Sequence, residues 1–117
     1  MARHTFKKKL EYNLSLNRTN EWYDYNKLAQ VYIRIGERMI IRNKVARREK
    51  VITVANITVW RPNCGTFTKL IEDLLKYGYP IILENVLDKR WESVLLTKYG
   101  WEVHQNRGEF PNDLIKG

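Results

Sequence analysis

The residues best suited to chemistry lie where a strand-like run, residues 51–59, gives way to Asn63-Cys64-Gly65-Thr66-Phe67-Thr68 and then to a helix-like run. In that run Phe67, Leu70, Ile71, Leu74 and Leu75 recur at the i, i+3, i+4, i+7, i+8 spacing of one buried face. The loop therefore opens onto a helix N-terminus. Unpaired backbone N–H groups and the positive end of the helix dipole meet there, so residues 63–68 form a seat for a phosphate or pyrophosphate.

The remaining reactive side chains are few. Glu84 and Glu37 are the carboxylates best placed to act as general bases through water, against the plainer reading of each as half of a salt bridge at a sheet edge. Cys64 is the only cysteine; with no histidine near it in sequence it reads as a small filler rather than a nucleophile. It also excludes an internal disulfide and a multi-cysteine zinc site. His4 and His104 lack ligand-type spacing, so no metal is expected.

At Gly65-Thr66-Phe67-Thr68 and Glu84-Asn85-Val86-Leu87-Asp88 the chain resembles the GCN5-related N-acetyltransferase (GNAT) superfamily, especially small versions common in phage genomes. The resemblance extends to Lys98-Tyr99-Gly100-Trp101-Glu102-Val103 and covers about half of the 117 residues. It implies an α+β fold of compact GNAT type, a mixed and mostly antiparallel central sheet with helices on both faces. It implies acetyl-CoA as co-substrate, with no metal. The backbone of Asn63, Cys64, Gly65, Thr66, Phe67 and Thr68 would hold the pyrophosphate, the edge of Asn56, Ile57, Thr58 and Val59 would pair with the pantetheine arm, and Asn85 would lie beside the acyl group. Asn56 reads equally as a satisfied buried amide, and Trp60 as core or as cover for a ligand. The chain departs from the family pattern at Pro62, where Gln or Arg is usual, and at Leu96, where many members carry the tyrosine that protonates the departing thiolate. Tyr99 is one position from Gly100 and is expected to pack.

The elements that must position these residues can be read along the chain as one domain, 1–117. Leu10, Tyr12, Leu14 and Leu16 alternate with polar residues, which predicts a first strand, and residues 21–30 predict a short helix with Trp22 and Tyr25 turned inward. Residues 31–60 read as antiparallel strands, with Gly36-Glu37 marking a bulge or bend and residues 43–50 a long mobile hairpin loop. Residues 61–103 read as the cofactor loop with its helix, then strand, helix and strand; Gly78 and Gly100 end the helices. Residues 104–117 read as a tail.

Composition narrows the function. A hydrophobic fraction of 44% and an aromatic fraction of 12% suit a folded domain. No apolar run follows the basic start at residues 3–9, so neither a signal peptide nor a membrane span is expected, and the chain reads as cytoplasmic, in the host cell if phage-encoded. The net charge of +8 favours anionic partners. Much of it sits at Arg42, Lys44, Arg47, Arg48 and Lys50, the expected partner-binding patch. Two readings follow: an acetyl-CoA-dependent N-acetyltransferase acting on an amine of an acidic or nucleic-acid-associated macromolecule, or a catalytically silent relative whose basic face binds nucleic acid or a host protein. The patch has no interleaved aromatics, which argues against sequence-specific DNA reading.

Overall fold

The computed structural model describes residues 5–42, 44–59, 65–86, 95–97, 99–105 and 112–116. Its first element is a helix, α1 (Phe6–Leu14), rather than the strand expected there. Thr5 caps it by accepting a hydrogen bond from the Lys8 amide at 3.2 Å, and Phe6, Leu10 and Leu14 repeat every fourth residue on its buried side. Two members of the apparent alternation, Tyr12 and Leu16, face solvent. The segment expected to be helical is instead β1 (Thr19–Tyr25), paired antiparallel with β2 (Ala29–Arg42). Tyr23 and Tyr25 point inward and meet the edge of Phe6 at centroid distances of 5.6 and 4.9 Å, whereas Trp22 is 49% exposed. Asn26 and Lys27 both take positive φ in the turn between β1 and β2, and the Lys27 amide donates to Asp24 Oδ1 at 2.9 Å.

Strands β2 and β3 (Val45–Val59) form one long antiparallel hairpin. The expected mobile loop over residues 43–50 is therefore mostly ladder, with Arg42 opposite Val45 and a turn that includes Lys44 at φ 65°. Gly36 and Glu37 stay in register with Val51 and Lys50, so no bulge occurs there. The irregularity falls further along, where Tyr32 pairs with Asn56 but Ile33 with Val54, leaving Ala55 as the extra residue of β3.

From β3 the chain passes through α2 (Thr66–Leu75) to β4 (Ile81–Val86), which runs parallel to β3. Leu70, Ile71 and Leu74 bury the face that the spacing predicted, and Gly78 follows at φ 81°. The helix expected after β4 falls largely outside the described residues; Leu95, Leu96 and Thr97 are helical. Then come β5 (Glu102–Gln105) and β6 (Asn112–Lys116), the latter in what reads as a tail from sequence. β6 inserts between β4 and β5 and completes a six-stranded sheet of order β1-β2-β3-β4-β6-β5.

The expected architecture with helices on both faces is corrected here: the protein is mostly sheet, with few and short helices. Leu10 of α1, Leu70 and Leu74 of α2, and Leu95 share one core cluster with Tyr23, Val31, Ile33, Ile52, Ile81 and Leu114. The described helical residues thus pack on a single face. On the opposite face, Ile40, Val51 and Ile82 form a small second cluster with Ile115 beside them, and most of the other residues there are polar.

Candidate functional site

Parallel pairing between β3 and β4 is short. Ile52, Thr53 and Val54 lie opposite Ile81, Ile82 and Leu83, and the register ends there. Ala55, the bulged residue of β3, comes next in chain order. On β4 the pairing with β6 slips at the same level, because Leu83 faces Leu114 while Val86 faces Asn112, so two residues of β4, Glu84 and Asn85, span one of β6. A bulge bends its strand and steepens its local twist, and the recorded pairing of β3 with β4 ends at this level. Beyond Val54, β3 keeps its partner β2 out to Val59 but has none on the β4 side among the described residues. The result is an open strand edge inside the sheet.

The next described element in the chain is α2. Gly65 is its N-cap in the left-handed conformation, φ 70°, without a side chain to cap the first turn. Lys69 donates the first helix-closing bond, to the Gly65 carbonyl at 3.0 Å. Among the described residues nothing lies within 4 Å of a Cβ built on Gly65. An uncapped helix N-terminus beyond the carboxyl ends of parallel strands is a favourable place for an anion.

The outer face of the sheet holds a groove of about 760 Å³ near the same opening. Its floor is Thr53 and Gly36, and its walls come from Asn17, Arg18 and Asn20 before and within β1, Arg34 and Arg38 on β2 and Glu84 on β4; Glu37, Arg48 and Lys50, which the register puts on the other face of the ribbon, border its far end. Arg34 reaches across Thr53 to Glu84, donating at 2.8 Å to Oε1 and 3.2 Å to Oε2. The ring of Tyr32 lies 5.6 Å beneath that guanidinium and is itself packed edge-on to Trp22 at 5.2 Å. Arg18 is positioned by a glycine: a Cβ at Gly36 would lie 3.6 Å from its Cγ, so the arginine stem rests directly on the strand. Lys50 is turned to the other side, where its ammonium donates to the Leu14 and Leu16 carbonyls at the end of α1 and sits 5.7 Å from the Tyr79 ring.

Of the residues expected from sequence to bind a cofactor, Asn56, Ile57, Thr58 and Val59 form the open part of β3, and Gly65, Thr66, Phe67 and Thr68 begin α2. Asn56 is exposed rather than a buried amide. Asn85 lies in the β4 bulge. Asn63, Cys64 and Trp60 lie outside the described residues, as do Pro62 and the histidine His4. Both proposed carboxylates, Glu84 and Glu37, line the outer groove, and Glu84 is also the residue at which β4 departs from β3. Arg47 and Lys44 are exposed near the turn of the β2–β3 hairpin, Arg48 and Lys50 reach the groove, and Arg42 is placed by its backbone alone. Leu96 packs against the main core, and Tyr99 lines a small apolar pocket of about 130 Å³ with Phe67 and Trp101. Sequence reasoning missed Arg18, Asn20 and Arg34 as groove residues; the only available signal was the excess of arginine, which does not say which strands become neighbours.

The tyrosines with clear electrostatic shifts all serve the covered face. Burial pushes the Tyr25 hydroxyl far up, reinforced by the bond it donates to Asp73 Oδ2 at 2.5 Å. That same bond, opposed by partial burial and helped by Lys76, holds the Asp73 carboxyl below its ordinary value. Burial likewise raises Tyr23, against the lowering effect of the bond from Asn13, and raises Tyr77, whose hydroxyl faces Glu11. Among the described residues no group of three or more His, Cys, Asp or Glu could hold a metal ion, and no described helix is long and apolar enough to cross a membrane.

Comparison with protein-family models, with curated proteins and with solved structures returned no match.

Proposed function

We propose that this chain is an acetyl-CoA-dependent N-acetyltransferase, as its resemblance to the GNAT superfamily implies. The observation that carries the reading is the pair of bulges at Ala55 and Glu84-Asn85, beyond which residues 55–59 have no partner on the β4 side among the described residues. An open edge offers alternating N–H and C=O groups to an extended amide-containing arm, as in strand addition. The helix start offers a positive end to a pyrophosphate. The start of α2 follows this edge in the chain, and nothing among the described residues lies within 4 Å of a Cβ built on Gly65.

The transfer itself needs an amine to attack the thioester carbonyl. A C–N bond forms, the C–S bond breaks, and the proton lost by the amine balances the thiolate that leaves. Holding the two reactants together is the main contribution of such a site. Glu84 faces the groove at the parting of the strands and can accept the amine proton through water, while Arg34 fixes its orientation. Leu96 offers no hydroxyl to the thiolate, so the proton returns to sulfur through solvent.

Calorimetric titration with acetyl-CoA and CoA tests the reading. Micromolar binding that is lost in Gly65→Glu, with the variant's melting curve remaining cooperative, is the expected outcome. Absence of binding at millimolar ligand would overturn it. It would also favour the second reading, a non-catalytic protein that binds a polyanion through its basic face, which the loss of the family's tyrosine at Leu96 supports.

A further inference from the structure

We infer that the outer face of the sheet binds single-stranded nucleic acid, with Trp22 as the ring on which a base stacks. The inference stands apart from the acyltransferase reading. Trp22 of β1 and Tyr32 of β2 are direct cross-strand partners, and the next pair on the same side of the pleat is Asn20 with Arg34. This is also the side of Thr53, Gly36 and Arg38, opposite the helices. Contacts run along it without a break: the Trp22 ring lies 5.2 Å from that of Tyr32, Tyr32 lies 5.6 Å from the Arg34 guanidinium, and Arg34 donates to Glu84 at 2.8 Å. Tyr32 is half-buried, whereas Trp22 is exposed over about half of its surface, 49%. The indole is thus oriented by its neighbours yet open to a ligand, and a ring so placed loses little freedom when a base settles on it.

Charge and shape choose the occupant. The chain carries a net charge of +8, and Arg18, Arg34 and Arg38 line the groove that adjoins the aromatic pair. Arg18 belongs to this side because a Cβ on Gly36 would lie 3.6 Å from its Cγ. Of the carboxylates on this face, Glu84 is paired with Arg34, Glu49 lies opposite Arg38 in the ladder, and Asp24 accepts a bond from the Lys27 amide. Phosphates can follow the arginines while a base lies on Trp22, the combination of cationic track and aromatic seat that suits a single strand. A duplex keeps its base faces inside its own stack. Strands β1 to β4 also span about 14 Å, at about 4.8 Å per gap, which exceeds the roughly 12 Å width of a major groove. The basic run at residues 42–50 contains no aromatic residue, but the ladder sets Trp22 beside the arginines of β2.

The test is fluorescence anisotropy of a labelled twelve-residue oligothymidylate titrated with the full chain at about 0.1 M salt, without coenzyme. The same strand annealed to its complement and an abasic deoxyribose-phosphate strand of equal length serve as controls. The expected result is saturable binding of the single strand, at least tenfold tighter than that of either control. Trp22→Ala should weaken it about fivefold or more, the effect of losing one stacked base, and Trp22→Phe should restore most of the loss. Arg18→Ala should lower the salt slope by about one. In the wild type, the Trp22 indole N–H resonance should shift with oligothymidylate and stay in place with the abasic strand, a readout that needs no variant. Equal binding of the abasic strand, tighter binding of the duplex, wild-type affinity in a folded Trp22→Ala, or an unmoved indole resonance would each overturn the proposal. Strand binding by a protein that ignores acetyl-CoA would leave the proposal standing and remove the enzyme.

Discussion

The two faces of this sheet are made from the same strands and obey different rules. On the covered face, alternate residues of β1, β2, β3 and β4 meet two amphipathic helices in one apolar cluster, and its polar atoms are closed off in pairs such as Tyr25 with Asp73 and Asn13 with Tyr23. On the outer face the intervening residues are arginines, asparagines and glutamates around a groove, with an aromatic pair at the edge. The first face is apolar and closed, and the second is charged and open, the face to which a recognition role is proposed. The register of a pleated strand lets one sequence serve both, because a substitution at one residue touches one face only.

That division can be broken most severely from the covered side. Leu74→Ala, at a fully buried position of α2, should cost about 2–5 kcal/mol in urea denaturation, since neighbouring strands cannot collapse into the void. A loss under about 1 kcal/mol would mean that α2 is not seated as described. Tyr25→Phe keeps the ring packing and removes one bond to a carboxylate, for an expected loss of about 1–2 kcal/mol. The pH dependence sharpens this. Asp73 is depressed below 3.8, so its contribution is present above that pH and fades as the pH falls through the lower folded value. Tyr25 is raised above 10.0, so the folded state holds its proton while the unfolded state loses it, and stability declines as the pH climbs past 10. Tyr25→Phe should flatten both limbs of the stability profile; unchanged limbs would assign them to other groups.

The outer face should respond weakly in stability and strongly in binding. Arg34→Ala removes a half-exposed ion pair and should cost no more than about 1 kcal/mol; under the proposed acetyl transfer it also frees Glu84 and should lower kcat more than it raises KM for the acceptor. A drop in stability several times larger would move the Arg34–Glu84 pair to the structural side of the comparison. Smallest of all, Arg47→Glu, exposed near the hairpin turn, should leave stability within about 0.5 kcal/mol in the same urea assay.

How much of this was legible depends on how local each signal is. α2 announces itself through a five-residue apolar stripe bounded by Gly65 and Gly78 and stands where the pattern put it, and the β-branched run at 51–59 marks the second part of β3, whose first six residues, 45–50, read as loop. α1 and β1 exchanged identities. Leu10 and Leu14 satisfy a period of two and a period of four alike, and the arbiters, Phe6 one helical turn earlier and the Thr5 cap, lie outside the alternating window. For β1 the neglected clue was its aromatic content, Trp22, Tyr23 and Tyr25, which favours a pleated surface. β6 is five residues long and is recruited by partners on both sides, so its own sequence says little. The bulges at the candidate site are properties of register between distant segments. Ala55 is an unremarkable residue until Tyr32 and Ile33 are laid beside it.

The short turn between β2 and β3 also orders events in time. Arg42 meets Val45 across almost no intervening chain, and the ladder can zip from there without closing a large loop, whereas β3 finds β4 only after α2 has formed and β4 finds β6 only across a still longer excursion. The antiparallel ribbon should therefore assemble early and the parted strands last. Substitutions along the ribbon should slow refolding, and those in β4 or β6 should chiefly hasten unfolding, a contrast that stopped-flow chevrons would reveal or erase. A chain emerging in that order would hold its basic ribbon in place before the edge beside it can be presented to any ligand.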